Sequence, residues 1–598
     1  ASNPSLAWTL AAVTNRNVIV PPNPGAMGAW GIGLRAMAEL GAAALFDCSP
    51  LDLDVVLRAE ITERTEFACR DRACQMLCPI ERTTIVVEGT QHVALSGGAC
   101  PKFEVAAQSL PKLDKYAPNP FDARTLLLRK YERESPGGPV VGIPSTGALA
   151  GCLPWLSTFL HRLGYTVKVL RSDAKSLARG EQLCNSFDSC SPTKIAHAIC
   201  DAAVPMLFFP KVLNIADPDG PGGQTCVTEQ SMPEMTEQSL RAQGRDVRVV
   251  RPRLSFAKGL DGASVIASLL PWARELAAGP LAIRSAVVHA ARAQRAYQRS
   301  LRAMGEEALA YARERGIPIV VVCGPLHVIH DPATNATIPT LLRQNGAMAI
   351  PMDAFPVRND VPGMRKVYWA EPNRCLRVAE AARRTGDVFP LMLSSFGCGP
   401  ASFTEQYFHA ILEGYPHTIL ESDGHGGTAG FVTRIQAFLH SVRQARSEAN
   451  RVPAPAGRIL AFVDRGRHRG SYLDRNVRYV FLSSIEYLGP LFAAVYRAYG
   501  YDAAAAPPLS KTNFELGRRD CSGKECLSYQ LVWGAFREYL RDNPPDPGKD
   551  IRLVQISGEI CRAGVFGIRT GNDLTDLDGP VRAGPASPAA PLSPRLCR

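Results

Sequence analysis

The sequence lacks the features of membrane and nucleic-acid-binding proteins. It has no apolar run of about 18 residues, the length that a membrane-spanning helix requires, and no signal-peptide pattern. Its net charge of +11 is spread along the chain without a dense block of Lys and Arg. Aromatic residues are not interleaved with these charges, so we expect no nucleic-acid partner and at most a small anionic ligand. The chain begins with Ala1 rather than Met, and we expect it to be a piece of a longer protein.

Cysteine is the residue type that the sequence has in unusual number. Seventeen cysteines are spread over 598 residues, which is too dilute for the disulfide scaffolds of small secreted domains. In a long chain with 46% hydrophobic and 21% charged residues, clustered cysteines favour metal or redox chemistry instead. Because reactive thiols and clusters need reducing surroundings, the composition predicts an oxygen-sensitive protein of the cytoplasm.

Short apolar runs alternate with amphipathic segments over much of the chain. Runs such as Val140–Pro144, Ile317–Cys323 and Phe389–Ser395 are typical of buried parallel strands, and Gly151–Leu163 has helical spacing. The alternation predicts a multidomain α/β protein with doubly wound parallel sheets.

Composition and Pro/Gly-rich joints divide the chain into four predicted parts, which are 1–135, 138–450, 457–570 and a disordered tail at 571–598. In the second part we expect two α/β lobes, at about 138–262 and 315–445, with a helical bridge between them.

The first part contains a Gly-rich segment and a group of four cysteines. We predict a strand at Asn17–Val20 and candidate nucleotide-binding residues, Gly25 and Gly28, after it, although a packing site of small residues explains the glycines equally well. The four cysteines form a candidate site for zinc or an iron–sulfur cluster, and they are Cys69, Cys74, Cys78 and Cys100.

Cys398 lies where a predicted strand ends and a predicted helix begins. Cys190 also lies at a helix start, because Pro192 suits a first helical turn, and Cys226 follows the strand Met206–Phe209. The positive end of a helix favours thiolate over thiol, so we expect thiolates at Cys190 and Cys398. In doubly wound sheets such loops gather at one edge, which predicts that the three sulfurs meet in one cleft and bind metal. The alternative is three unrelated buried cysteines.

The third part repeats this arrangement of cysteines, strands and helices. Cys521 and Cys526 precede a helical run at Leu527–Leu540, and Cys561 follows the strand Ile551–Ile556. Internal duplication of one module is the simplest explanation. It makes Cys526 and Cys561 further candidate metal ligands.

Several of these stretches resemble one known protein family. They are Gly142-Ile-Pro144, Asp188–Lys194, Cys226, Phe396–Phe403, Asp423–His425 and Thr433–Ile435. Together they resemble the cluster-binding subunits of 2-hydroxyacyl-CoA dehydratases and, more closely, the large fused CoA-substrate-specific enzyme activases of that superfamily. Cys521–Gln530 and Cys561-Arg562 resemble the family's second dehydratase-like module, and the stretch from Pro21 to Cys100 resembles the end of its actin/Hsp70-like ATPase domain.

The resemblance implies ATP-driven transfer of low-potential electrons through iron–sulfur clusters of the 4Fe–4S or double-cubane type. It implies Cys190, Cys226 and Cys398 as ligands in one module, Cys526 and Cys561 as ligands in the other, and ATP with Mg²⁺ in the full-length family. The implied partners are an acyl-CoA dehydratase or a small-molecule substrate, an electron donor such as ferredoxin or flavodoxin, and a second copy of the chain.

The chain also departs from the family pattern. The family's phosphate-binding segments are expected upstream of Ala1, and Cys69 and Cys74 are separated by four residues where the family usually has two. We therefore expect no ATP hydrolysis by this chain alone. Two alternatives stay open, a catalytic dehydratase or double-cubane reductase subunit that acts on an acyl-CoA, and a zinc-stabilised scaffold that only binds a partner.

Overall fold

The structure is a computed structural model. It describes residues 4–21, 27–46, 53–69, 79–97, 113–114, 116–132, 134–173, 175–184, 189–220, 222–364, 367–395, 397–422, 428–447, 475–482, 486–521, 523–544, 550–554 and 581–583. The chain divides into two compact units, residues 1–98 with 103–105 and residues 99–102 with 106–598, which are described separately below.

The described part of the first unit contains three helices and an antiparallel sheet. The helices are Pro4–Thr14, Met27–Phe46 and Leu53–Leu57, and the strands are Glu60–Ala68, Pro79–Val87 and Thr90–Gly97. Glu88 and Gly89 form the turn between the last two strands with the positive φ that two-residue hairpin turns need. The strand predicted at Asn17–Val20 is wrong, because residues 17–20 lie between two helices without regular secondary structure.

Among the residues that the structure describes, the second unit has three four-stranded parallel sheets, one in each of three lobes. The strands are Val140–Pro144, Thr166–Leu170, Met206–Phe208 and Arg248–Val250 in the first lobe, Ile319–Cys323, Met348–Pro351, Val388–Ser395 and Thr418–Ser422 in the second, and Val477–Phe481, Asp502–Ala505, Asp550–Val554 and Val581–Ala583 in the third. In each sheet the strands lie in the order second, first, third, fourth. The predicted mixed α/β architecture with parallel sheets is confirmed.

The central strands explain why the apolar runs are continuous. Ile319–Cys323 and Val388–Ser395 are buried along their whole length, so neither has a face that needs polar residues. The small sheet of the first lobe, with Lys211–Ile215, Gly223–Gln224 and Arg253–Ser255, was not predicted, because its short strands are only partly buried and do not form continuous apolar runs.

Helices connect the strands of the second unit. They are Pro120–Arg129, Leu149–Arg162, Ser176–Leu183, Ser191–Cys200, Val227–Ala242, Ala263–Leu269, Pro280–Glu314, Leu326–Ile329, Ile338–Gln344, Ala370–Thr385, Gly399–Ile411, Thr428–Ser447, Leu488–Ala498, Lys511–Arg519 and Leu527–Asp542, with a 3₁₀ turn at Leu270–Trp272. None of the described helices has the length and apolar content that crossing a membrane would take.

The helix Pro280–Glu314 holds the first two lobes together. The side-chain amide of Gln294 donates a hydrogen bond of 2.8 Å to the carbonyl oxygen of Gly151 in the first lobe. Gly305 packs against the second lobe so closely that a β-carbon there would lie 1.9 Å from the carbonyl oxygen of Ala354. The helix therefore packs against both lobes and connects them.

The third lobe shares its apolar core with the second lobe. Tyr529 and Trp533 of the third lobe are buried in the same cluster as Phe403 and Phe408 of the second. The rings of Phe403 and Tyr529 meet edge to face with 6.0 Å between centroids. Val581–Ala583, which composition assigned to a disordered tail, forms a parallel strand beside Asp550–Val554, because backbone pairing needs no long apolar side chains.

Candidate functional site

A cleft between the first and second lobes brings chemically active side chains together. It has about 570 Å³ of space, part of it open to solvent, and its walls come from both lobes. Six potential metal ligands line it, namely Cys190, Cys226, Glu229, His327, Glu371 and Cys398. Apolar residues such as Met232 and Trp369 fill much of the remaining wall.

Each of the three cysteines in the cleft is the N-cap residue of a helix. Cys190 precedes Ser191–Cys200, Cys226 precedes Val227–Ala242, and Cys398 precedes Gly399–Ile411. All three have extended backbone angles, as residues at this position usually do. The structure thus places on one cleft the three cysteines that the sequence singled out, while their role as metal ligands stays a prediction.

Local sequence explains how Cys398 is presented. Gly397, directly before it, has a φ of +76°, a left-handed conformation that favours glycine. Pro400 occupies the first turn of the following helix, where its missing N–H costs no hydrogen bond, and Pro192 does the same after Cys190.

The prediction that Cys190 and Cys398 are thiolates is wrong for the protein without a bound cation. Burial raises the pKa of Cys190, Cys226 and Cys398, to about 11 for Cys226, and the nearby carboxylate of Glu229 adds to the effect. Removal of these sulfurs from water outweighs the partial positive charge of the helix ends. A bound cation reverses that balance, because it stabilises the thiolate directly.

Three ligand groups in the cleft were missed by sequence reasoning. One ligand atom each from Glu229, His327 and Glu371 lies within 4.8 Å of the other two. Burial raises the pKa of Glu229 to about 7 and that of Glu371 well above its usual range, and it lowers the pKa of His327 to about 4. His327 lies just after the strand Ile319–Cys323, so its position at the carboxyl end of a strand was the signal that could have revealed it.

A second cavity lies on the other side of Glu371. It has about 620 Å³ of space, part of it open to solvent, and it shares Ile215 and Glu371 with the cleft. The hydroxyl oxygen of Tyr297 in its wall is buried and has no hydrogen-bond partner.

The other predicted site residues lie elsewhere. Cys526 is half-buried and is the N-cap residue of Leu527–Asp542 in the third lobe, and Cys69 follows the strand Glu60–Ala68 in the first unit. Gly28 lies within the helix Met27–Phe46 with open space where a β-carbon would be, so its position needs no glycine for a close approach. The remaining candidates lie outside the described residues, and these are Gly25, Cys74, Cys78, Cys100 and Cys561.

Part of the chain matches a known protein family. Residues 140–355 match the family described as the CoA enzyme activase uncharacterised domain. The predicted resemblance to the activase and dehydratase superfamily is confirmed over this segment, which includes Cys190, Cys226, Glu229 and His327 but not Cys398. No curated protein matches the chain.

Proposed function

Because residues 140–355 form a CoA enzyme activase-type domain, we propose that this chain is an iron–sulfur protein of ATP-dependent, low-potential electron transfer. It activates, or resembles, a 2-hydroxyacyl-CoA dehydratase. The observation that carries this proposal is the meeting of Cys190, Cys226 and Cys398 on one cleft, each at the start of a helix.

The donor set fits an iron–sulfur cluster. Cysteine thiolates are the usual ligands of such clusters, and three of them leave one iron of a four-iron cluster open to another ligand. The bound cluster supplies one-electron chemistry. Cys190, Cys226 and Cys398 would hold it, and each of them lies at the positive end of a helix. Met232 and Trp369 in the cleft wall limit the access of water, which sets the polarity around the cluster.

The wider assignments follow from the resemblance. In this proposal residues 1–135 are the end of an actin-like ATPase domain, with zinc or a cluster held by Cys69, Cys74, Cys78 and Cys100. The first two lobes form one dehydratase-like module, and Cys526 and Cys561 belong to a second, partial one. A ferredoxin or flavodoxin donates electrons to a cytoplasmic homodimer, whose target is an acyl-CoA dehydratase.

Metal analysis of anaerobically reconstituted protein tests the cluster. We expect iron together with acid-labile sulfide, and we expect Cys398→Ser to lose most of the iron bound in the cleft. Cys152→Ser and Cys375→Ser are the matched controls, because these thiols are buried in the cores of the same two lobes and should leave the iron content unchanged. Full iron retention in Cys398→Ser would contradict the proposal, and zinc without sulfide would support the scaffold alternative.

The second cavity favours one other candidate function, a catalytic dehydratase or reductase subunit that binds an acyl-CoA itself. The cavity adjoins the thiol-lined cleft through Glu371, so a bound acyl group would lie beside the cluster. Leu301→Trp, which fills the cavity, would then block acyl-CoA binding while the iron content stays unchanged. Unchanged acyl-CoA binding in this variant would rule the cavity out as the substrate site.

A further inference from the structure

The cleft contains a second set of metal ligands besides the cysteines. Glu229 comes from the first turn of Val227–Ala242, His327 from the short helix Leu326–Ile329 and Glu371 from the first turn of Ala370–Thr385. Their ligand atoms lie within 4.8 Å of one another, although they belong to two lobes and three separate elements. A spacing of this kind brings one nitrogen and two oxygens to a common centre.

Three buried polar atoms of this part of the cleft lack hydrogen-bond partners within the protein. Nδ1 of His327 lies 3.4 Å from Oε1 of Glu229 but makes no hydrogen bond, and His327 is only 8% exposed. Oε1 of Glu371 and Oγ of Ser395, both lining the same cleft, are buried without a partner as well. Buried polar atoms are almost always paired in native proteins, so several unpaired atoms that converge on one space indicate a missing ligand.

The charge of the cleft points to a cation. Its described lining contains three thiols and two carboxyl groups but neither Lys nor Arg. The His327 imidazole is buried and its Nδ1 has no hydrogen-bond partner, so this nitrogen is placed to offer a lone pair to a cation. Two carboxyl groups and an imidazole lone pair at this separation repel one another unless protons or a cation lie between them.

We propose that Glu229, His327 and Glu371 bind one divalent first-row metal ion, such as Mn²⁺ or Fe²⁺, separately from the three cysteines. Imidazole nitrogen and carboxylate oxygen suit these ions, whereas thiolates select softer metals and iron–sulfur clusters. Three protein ligands leave open positions on the ion, which is the pattern of reactive rather than purely structural sites. The cleft thus contains one set of oxygen and nitrogen ligands and, beside it, one set of sulfur ligands that softer metals prefer.

The position of the site predicts an effect on the two lobes. Glu229 belongs to the first lobe, and His327 and Glu371 belong to the second, so the ion joins the lobes across the cleft. A ligand that binds only the folded arrangement of the two lobes stabilises that arrangement by mass action. We therefore expect Mn²⁺ to raise the melting temperature of the unit that contains both lobes.

Mn²⁺ titration followed by electron paramagnetic resonance tests the site, because Mn²⁺ discriminates against thiols. The probe is MnCl₂ added to the full chain purified without iron, and we expect one tight equivalent. Glu371→Gln and His327→Gln should weaken its binding by at least about tenfold. Glu306→Gln and His289→Gln, at an exposed and a half-buried position of the long helix outside the cleft, are matched controls that should bind as the wild type does.

A measurement on the unaltered chain covers the case in which a variant does not fold. Pulsed resonance of the bound Mn²⁺ should show the coupling of one coordinated imidazole ¹⁴N nucleus. The absence of that coupling, an unchanged affinity in folded Glu371→Gln and His327→Gln, or no binding of Mn²⁺ at all would each overturn the proposal. Cys398→Ser should keep the Mn²⁺ equivalent while it loses cluster iron, so failure of the cluster proposal and failure of this one are distinguishable.

Discussion

The first and third lobes are built alike. In both, a helix pair follows the second strand of the sheet, and the second helix of each pair is capped by a cysteine, Cys190 or Cys526. In both, a glycine of the first helix lies against the carbonyl oxygen four residues after that cysteine. A β-carbon at Gly180 would lie 2.0 Å from the oxygen of Lys194, and one at Gly517 would lie 1.9 Å from that of Gln530. This shared geometry supports the predicted internal duplication.

The two lobes differ in how each one joins the second lobe. Asp217 of the first lobe pairs with Arg374 at 2.6 Å and with Arg377 at 3.2 Å, and all three side chains are at least 89% buried. In the third lobe, Nζ of Lys524 lies between Glu405 at 2.5 Å and Glu421 at 3.1 Å, and the Lys524 side chain is 40% exposed. The first lobe is thus joined to the second by buried ion pairs, whereas the third lobe is joined to it by apolar packing and a partly exposed ion pair.

The largest effect is expected from the buried junction. Asp217→Asn removes the carboxylate that pairs with the buried guanidinium groups of Arg374 and Arg377. This loss should lower the free energy of unfolding by about 3–5 kcal/mol. Urea denaturation of the variant measures this loss. Asp261→Asn, which breaks an exposed pair with Arg295 in the first lobe, is the matched control and should cost at most about 1 kcal/mol. Equal costs for the two variants would remove the distinction between buried and exposed ion pairs.

The close helix pairs should respond alike in the two lobes. Gly180→Ala and Gly517→Ala force each helix away from its partner's backbone and should each cost about 1–3 kcal/mol, which chemical denaturation measures. Gly430→Ala is the control, since nothing lies within 4 Å of its β-carbon position and helix propensity alone should make it neutral or slightly stabilising. A large cost at only one of the two glycines would break the analogy between the lobes.

Acid should destabilise the second lobe, where His330 and Asp353 lie beside Arg124. Burial and the charge of Arg124 lower the pKa of His330, which contacts Asp353 in the second lobe at 3.0 Å. As the pH falls below about 6.5, unfolded chains take up a proton that the folded chain excludes, so stability decreases. The test is the pH dependence of unfolding between pH 7 and pH 5, which His330→Gln should make shallower. Identical slopes for the two proteins would show that His330 does not contribute.

The smallest effect is expected at Lys524. Lys524→Met removes the ion pairs with Glu405 and Glu421 but keeps most of the apolar stem. Because Lys524 is 40% exposed and Glu405 only 5%, the loss should lie between that of an exposed and that of a buried pair, at about 1–2 kcal/mol. Limited proteolysis of the third lobe reports it. Tyr529→Ala is the informative contrast, because it removes the ring that packs against Phe403 and should make that lobe far more susceptible.

Much of the fold could be predicted from local patterns. The strand Val388–Ser395 and the helix after it were recognisable because a buried parallel strand is apolar at every position and the helix repeats its apolar residues at helical spacing. The location of Cys190 and Cys398 at helix starts followed from neighbouring Pro and Gly residues. These features depend only on residues close together in the sequence.

The rest depended on contacts between distant residues. The pKa shifts of the three cysteines are set by burial between two lobes, which no local pattern around Cys398 reveals. Glu229, His327 and Glu371 come together only through the packing of those lobes, and of the three only His327, just after a strand, had a local signal. The identical strand order of the three sheets was hidden as well, because the lobes share geometry with little sequence similarity.

The location of Cys398 in the second lobe bears on how the protein is made. Cys190 and Cys226 leave the ribosome early, whereas Cys398 follows Cys226 by 172 residues. At usual elongation rates this interval lasts roughly 10–35 s, long enough for the first lobe to fold with two of its thiols still lacking their partner. Any cofactor that needs all three sulfurs must therefore enter late in synthesis or after it. The nascent chain meanwhile exposes cysteines that oxygen and stray metal ions can reach.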